Sequence, residues 1–429
     1  MNKKVLIITY YWPPSGGPGV QRWLKFVKYL SYFNIEPIVL TVNPKKASFQ
    51  IIDKTLEKEI PDNIKIYYTN TREPFNIYKK IAQKKEIPVS GFANEGKPSF
   101  LQKIFRFIRG NFFIPDPRKG WNKFAYKKAV EIIKKNNIDT VITTSPPHST
   151  QLIGLKLKKI LKIKWIADLR DPWTDIYFYN ELYHTKIAAK IDKKLEQKVL
   201  LTADKVIVVS NDIKQMFCKK INNNCANKIK IIPNGYDQTD FDNKIISDNK
   251  YFNITYTGTI SDKYDITSLI TALKNISQKY NFTMRIVGNV AEHVKEKLIK
   301  SDFSDKIEFL NYQPHIKSIE YLKKSTILLL VIPKIENNKG ILTGKLFEYL
   351  ATKKPIINIG PVNGDAAKII NECNAGKTFD YSDYKGITDF LINYINKFNN
   401  NDKIDVDNDI SKKYSRKNLT NELSKIINE

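Results

Sequence analysis

The sequence predicts an α/β protein made of two doubly wound parallel-sheet domains. Three observations carry this. The chain has 429 residues, too many for one ordinary core and enough for two. Short apolar runs alternate with helical patterns, the rhythm of a parallel sheet covered on both faces. That rhythm begins again after a turn-rich segment in mid-chain.

Strands are expected at residues 4–10, 36–41, 64–69, 140–144, 164–168 and 205–210. Helices fall between them, at 20–33, 122–136 and 149–161. The second half reads as strands at 229–232, 253–256, 282–287, 307–310, 327–332 and 355–359, with helices at 266–278, 318–324 and 345–351. Pro233-Asn234-Gly235-Tyr236-Asp237 punctuates the chain. The domains are therefore drawn at 1–232 and 233–409, with a final helix at 410–429 returning to the first. Two such halves create a cleft where carboxyl ends of strands face each other, a favoured place for ligands.

Composition narrows the class. Hydrophobic residues make up 42% of the chain, which excludes a mainly disordered protein. The formal net charge is +27, from 71 basic and 44 acidic residues. Two readings stand: an anionic partner, or solvated faces in a chain rich in Lys, Asn and Ile throughout. Nucleic acid is the weaker partner, because aromatic residues are not interleaved with the basic ones in a known module pattern. Cys218, Cys225 and Cys373 are an odd, sparse set. They argue against a disulfide framework and fit a reducing compartment. No His lies near Cys218 and Cys225, and the four histidines form no ligand spacing, so no metal site is expected. No apolar run approaches the roughly 18 residues of a membrane span. The apolar start runs into Trp12-Pro13-Pro14 with no cleavage site, so a first strand in a cytoplasmic protein is expected.

The sharpest motif is Lys339-Gly340-Ile341-Leu342-Thr343-Gly344-Lys345-Leu346-Phe347-Glu348. It reads as a strand end, a glycine loop and a helix opening near Thr343 or Gly344. Free N–H groups at a helix start, with about half an elementary charge, suit a diphosphate. Lys345 adds a full charge, and Glu348 can accept two hydrogen bonds from vicinal ribose hydroxyls. The alternative is an ordinary helix with a Lys–Glu surface pair. A second glycine loop, Ser15-Gly16-Gly17-Pro18-Gly19, follows the first strand. It is not a dinucleotide fingerprint: Arg22 stands where the third glycine should be, and strand two ends without an acid. It reads as a phosphate or sugar approach, or as a tight turn. A third loop, Gly258-Thr259-Ile260-Ser261-Asp262-Lys263, ends the first strand of the second half, and Gly288 follows the next strand. These are further candidates for phosphate contact, against plain strand-end loops.

Asp168-Leu169-Arg170-Asp171-Pro172-Trp173 follows an apolar strand and offers sugar or acceptor contacts, or a structural Asp–Arg pair. His148, in Ser145-Pro146-Pro147-His148, lies at a strand-to-helix junction and could donate to a hydroxyl or phosphate, or serve structure alone. On a helix from Ser99 to Arg109, Phe100, Leu101, Ile104, Phe105 and Ile108 share one face, and Lys103, Arg106 and Arg109 another. This is the pattern of an interfacial helix on an anionic membrane, or of a helix packed on its own domain.

Together and in this order, Tyr10-Tyr11-Trp12-Pro13-Pro14 with Gly16-Gly17, Pro115-Asp116-Pro117-Arg118-Lys119-Gly120-Trp121, Ser145-Pro146-Pro147-His148, Asp168-Leu169-Arg170-Asp171-Pro172-Trp173, Pro233-Asn234-Gly235-Tyr236-Asp237, Tyr256-Thr257-Gly258-Thr259 and Gly344-Lys345-Leu346-Phe347-Glu348 resemble a glycosyltransferase of family 4. The resemblance implies the GT-B fold, two Rossmann-like domains facing a central cleft. It implies transfer of a sugar from a UDP- or GDP-linked donor, with retention and without a metal or other cofactor, to a glycan or lipid-linked acceptor in surface-polysaccharide synthesis. In that frame Leu342, Thr343, Gly344, Lys345 and Glu348 hold the nucleotide with Gly258, Thr259 and Gly288, while Gly16 and Gly17 approach from the first domain. Lys345, Lys263, His148 and Asp168 are the candidate catalytic residues. Arg170, Asp171 and Trp173 are the acceptor contacts. Phe100, Lys103, Arg106 and Arg109 are the membrane contacts. The chain departs from the pattern twice: Gly340 stands where many members carry a glutamate, and Thr259 where an arginine is common.

Overall fold

The computed structural model describes residues 2–73, 98–222, 225, 227–242, 251–407 and 409–429. The chain divides into two compact units, Met1–Pro233 with Arg416–Glu429, and Asn234–Ser415.

The first unit holds seven strands: β1 (Lys3–Ile8), β2 (Ile35–Val42), β3 (Lys65–Thr69), β4 (Thr140–Ser145), β5 (Lys164–Leu169), β6 (Lys205–Val208) and β7 (Ile229–Ile231). All pairs are parallel, in the order β3-β2-β1-β4-β5-β6-β7. The central strands are apolar on both faces because both faces are covered. Along β1, Val5 and Ile7 enter one core and Leu6 and Ile8 the other, the period of two that an extended chain imposes. Helix α1 (Pro18–Leu30) closes the first core with Trp23, Leu24 and Val27. The described helices that follow are α2 (Phe100–Phe112), α3 (Asn122–Asn136), α4 (Ser149–Ile160), α5 (Lys186–Thr202) and α6 (Asn211–Lys220). Helix α3 covers the second core with Ala125, Ala129 and Ile132.

The second unit has six parallel strands in the order β10-β9-β8-β11-β12-β13. They are β8 (Asn253–Thr257), β9 (Thr283–Val287), β10 (Ile307–Leu310), β11 (Ile327–Val331), β12 (Ile356–Ile359) and β13 (Gly376–Phe379). Around them lie α7 (Thr267–Ser277), α8 (Glu292–Ile299), α9 (His315–Lys323), α10 (Gly344–Thr352), α11 (Asp365–Glu372) and α12 (Tyr384–Asn399). The last helix, α13 (Arg416–Asn428), belongs to the first unit, where Leu419, Leu423 and Ile427 pack with α1.

Both sheets are two parallel-wound Rossmann-like layers whose order reverses once, between β1 and β4 and between β8 and β11. Loops leaving the carboxyl ends of these neighbours diverge to opposite faces and open a crevice. The sequence-predicted loops with glycines sit there in both units.

Two expectations are corrected. Strand β7 pairs with β6, Val206 beside Ile229, and so ends the first sheet instead of opening the second. Cys218 and Cys225 are joined in a disulfide, contrary to the expectation from an odd and sparse set. The reason is local: α6 ends at Lys220 and the chain turns back before β7, bringing the two Cα atoms to 5.3 Å, within bonding range. Cys373 is free and buried.

Candidate functional site

Each unit has its own constellation at its crevice. In the second unit, Thr343 ends the loop after β11 and α10 begins at Gly344. Thr343 offers no side-chain cap to the helix, and its buried hydroxyl has no hydrogen-bond partner among the described residues. Leu346 N donates to the Thr343 carbonyl at 3.3 Å, but no side chain caps the start of α10, an arrangement that favours an anion. Leu342 itself points into the core, 8% exposed, where it packs with Leu346 and Phe347.

Lys345 occupies the first turn. Its Nζ donates to the Tyr256 hydroxyl at 2.6 Å and lies 4.2 Å from that ring's centroid. Tyr256 in turn donates to the Thr259 carbonyl at 2.8 Å. Burial pushes the Lys345 ammonium down to about 7, against the pull of Glu348 in the other direction. The cation is thus short of negative charge.

Gly258 closes over this lysine. Its φ is +106, and a methyl group added there would stand 3.1 Å from Lys345 Nζ. Gly288 (φ +132) follows β9, and a methyl group there would meet the Gly258 carbonyl oxygen at 2.3 Å. The two glycines are required by close backbone approach at positive φ. Glu348 accepts or shares a hydrogen bond with His315 Nε2 at 3.1 Å, at the start of α9. No contact role for His315 or Tyr256 is legible in the sequence, because contact across elements leaves no periodic trace. Lys263 lies on the same loop as Gly258 and Thr259. Its carbonyl accepts from Lys334 N at 2.8 Å.

In the first unit, loops after β1, β4 and β5 and the inner face of α2 line a pocket of about 340 Å³. Gly16, Gly17, His148, Arg170, Asp171 and Trp173 all lie on it. His148 stacks on Trp173, ring centroids 4.7 Å apart and planes 12° from parallel. Burial, then Arg170 and Lys220, pushes His148 down to about 3, so it is neutral. Its Nδ1 has no hydrogen-bond partner among the described residues. Trp173 Nε1 donates to Asp192 Oδ1 at 2.9 Å. Arg170 Nε donates to the Ser145 carbonyl at 3.0 Å. The Asp171 carboxyl is raised by burial, with Arg170 lowering it.

Asp168 does not join this pocket, which corrects its place among the catalytic candidates. It is fully buried, and its carboxylate is occupied by Arg22 Nη2 at 3.0 Å, Trp23 Nε1 at 2.8 Å and the Thr144 hydroxyl at 2.8 Å. It ties α1 to β4 and β5. Arg22, which broke the glycine fingerprint, is the other half of that pair and also donates to the Pro233 carbonyl at 2.8 Å.

Helix α2 is turned differently from the expectation for its arginines. Phe100, Leu101, Ile104, Phe107 and Ile108 are exposed, between 38% and 78%. Arg106 is buried and pairs with Glu181 at 3.0 Å, and Arg109 lines the pocket. Arg106 thus faces its own domain and Arg109 the pocket. Lys103 stays exposed. A sequence shows which residues share a helix face, not which face meets the domain.

Among the described residues no three His, Cys, Asp or Glu side chains come together as metal ligands, and no helix is long and apolar enough to cross a membrane. 

The comparisons agree with this geometry. The model of Glycosyltransferase Family 4 matches residues 80–240, and that of Glycosyl transferases group 1 matches 237–403. Compared by sequence, no curated protein matches the chain. Among solved structures, a glycosyltransferase from Rickettsia africae is similar over 100% of this chain and 99% of its own, with TM-score 0.62 at 17% identity. Anabaena HepE in complex with UDP is similar over 99% of both chains, with TM-score 0.60 at 12% identity. The lipopolysaccharide outer core galactosyltransferase WaaB gives TM-score 0.57 at 14% identity, again over 99% of both chains. With two adjoining family models from residue 80 to residue 403 and a Rossmann-like sheet under each, the chain belongs to the family-4 type of GT-B glycosyltransferases.

Proposed function

We propose that this glycosyltransferase takes its sugar from a UDP- or GDP-linked donor held by the second unit. The observation that carries the reading is Lys345: a half-buried, under-compensated ammonium on the first turn of a helix with no side-chain cap. A diphosphate supplies the missing negative charge, and Gly258 and Gly288 leave room for it at the backbone. Glu348, already held by His315, takes the ribose hydroxyls. The UDP bound to Anabaena HepE supports a nucleotide ligand of this kind.

The transfer step is electrostatic. The bond between the sugar carbon and the diphosphate oxygen breaks, and charge on the leaving oxygen is met by Lys345 and the helix amides. The acceptor hydroxyl oxygen bonds to the same carbon from the leaving-group side, and its proton passes to the departing phosphate. Configuration is retained, and no protein-bound metal or other cofactor takes part. The acceptor is a glycan or lipid-linked glycan of surface-polysaccharide synthesis, met by Arg170, Asp171 and Trp173. The exposed apolar face of α2, with Ile187 (74%) and Ile191 (45%) on α5, seats the protein on the inner face of an anionic membrane from the cytoplasm.

A thermal-shift panel of UDP, GDP and their sugars tests the donor reading, since a ligand stabilises by the logarithm of its excess over Kd. A rise with one nucleotide family that vanishes in Lys345→Ala is expected. No rise with any of them sinks it. Product analysis by NMR reads the anomeric configuration.

A further inference from the structure

We propose that Asp192 is a positioning residue for the transfer step: its two carboxylate oxygens fix Trp173 and Tyr179, and through them the rings of His148 and His184 in the first unit's pocket. The proposal rests on the glycosyltransferase reading for the step that His148 serves, and on the pocket's own geometry for the positioning.

Asp192 lies on α5 and is 2% exposed. Its Oδ1 accepts from Trp173 Nε1 at 2.9 Å, and its Oδ2 from the Tyr179 hydroxyl at 3.1 Å. Each of those rings stacks on a histidine. Trp173 and His148 have centroids 4.7 Å apart and planes 12° from parallel. Tyr179 and His184 have centroids 4.2 Å apart and planes 18° from parallel. All five residues line the same cavity of about 340 Å³. One carboxylate thus holds two ring pairs, drawn from the loops after β4 and β5 and from the segment before α5.

Stacking is what orients the imidazoles. The Nδ1 atoms of His148 and His184 are both buried with no hydrogen-bond partner among the described residues. A histidine ring is commonly set by a hydrogen bond at one of its nitrogens. Here a flat aromatic face does that work, and the aromatic is held in turn by its polar edge. Burial, then Arg170 and Lys220, lowers His148, and burial lowers His184 against a hydrogen bond with the Tyr179 backbone. Both rings are therefore neutral near pH 7.

The Trp173 arm is held at its backbone as well. Trp173 has φ +24, a left-handed conformation that a bulky residue keeps only where its surroundings over-determine it. Glu196, four residues along α5 and so on the same face as Asp192, supplies a second clamp. It accepts from the Thr174 hydroxyl at 2.6 Å and from Lys220 Nζ at 2.7 Å. The two carboxylates of α5 thus fix consecutive residues of one turn. Burial pushes Asp192 up to about 6, against the pull of its two donors. An apolar residue would fill the same place without that cost, but could hold neither ring.

The test is NMR of the full chain carrying isotope-labelled histidine. The chain has four histidines, and His148→Gln and His184→Gln assign the two concerned. In the parent both sets of ring protons should lie upfield, because each imidazole faces an aromatic ring. Asp192→Leu should move both downfield and bring His148 from about 3 toward its ordinary 6.5. Asp192→Asn should keep both in place, since its Oδ1 still accepts from Trp173 and its amide donates to the Tyr179 oxygen. Tyr179→Phe keeps the ring and removes the donor, so it should displace His184 and leave His148, which decides the matter even if Asp192→Leu does not fold. Melting with and without nucleotide checks each variant, the nucleotide site being in the second unit. Hydrolysis of the saturating donor by water, read as nucleoside diphosphate release, should fall about 10²-fold in Asp192→Leu at unchanged donor KM, the scale of a misplaced reacting group, and return in Asp192→Asn. Rings that stay put in folded Asp192→Leu or Tyr179→Phe overturn the proposal. So do rings displaced equally in Asp192→Asn, and rings displaced with the hydrolysis rate unchanged. A parent that binds no nucleotide and hydrolyses no donor sinks the transferase reading instead, while the ring signals still decide whether Asp192 holds the two histidines.

Discussion

Lys345 Nζ donates to the hydroxyl of Tyr256 at 2.6 Å, a cation on the first turn of α10 held by a phenol at the end of β8. The phenol is neutral, since burial raises it well above its usual range. The lysine is therefore positioned but not neutralised. Removing it should cost about 10²–10³-fold in turnover, the scale of one preorganised charge. Steady-state rates of Lys345→Ala with saturating donor measure this. A rate within twofold of the parent removes Lys345 from the mechanism.

The same residue predicts a pH dependence. Free Lys345 loses its proton near pH 7, and a bound diphosphate holds that proton on. The complex thus carries more protons than the free site above pH 7. Nucleotide affinity should fall by about tenfold per pH unit from about 7 upward, until the bound lysine itself titrates. Titration calorimetry between pH 6.5 and 9 gives the slope, and Lys345→Ala should flatten it.

Two glycines with positive φ should respond differently to the same substitution. Gly288→Ala drives a methyl group into the Gly258 carbonyl, while around Gly17 (φ +102) nothing lies within 4 Å of the added carbon. Gly17→Ala should cost about 1–2 kcal/mol from backbone conformation alone. Gly288→Ala should cost more and shift the Gly258 loop, with loss of nucleotide affinity. Urea unfolding and thermal shift with nucleotide compare the two.

Asp168→Ala should be a stability variant. It leaves Arg22 buried without its carboxylate, at a cost of about 3–5 kcal/mol. Nucleotide binding by the folded fraction should persist, because Asp168 belongs to the first unit and the nucleotide site to the second. Loss of nucleotide binding without loss of stability would contradict this.

Binding to anionic liposomes should depend on apolar residues of α2 more than on its arginines. Phe100→Glu or Ile104→Glu should abolish co-sedimentation at low salt, because a charge replaces an exposed apolar contact. Arg106→Gln should act on stability through Glu181 instead. Unchanged recovery of the glutamate variants with the vesicles would reject the membrane seat.

The two Rossmann-like layers and most of their strands are legible along the chain. Parallel strands buried on both faces need continuous apolar runs such as Val5 to Ile8, and these are visible in one dimension. Strand β13, Gly376–Phe379, is not, because its Gly and Lys hide a short edge strand. Glycine loops and the Lys345 helix start were legible for the same reason: they are contiguous. What joins distant segments was decided by tertiary structure alone. Tyr256 meets Lys345, His315 meets Glu348, and Arg109 turns inward from a helix whose apolar face looks outward. Asp168 became a buried tie because Arg22, Trp23 and Thr144 converge on it from separate elements. Hydrogen bonds and charges act through space, so their partners are fixed when the chain folds back on itself, not by spacing along it.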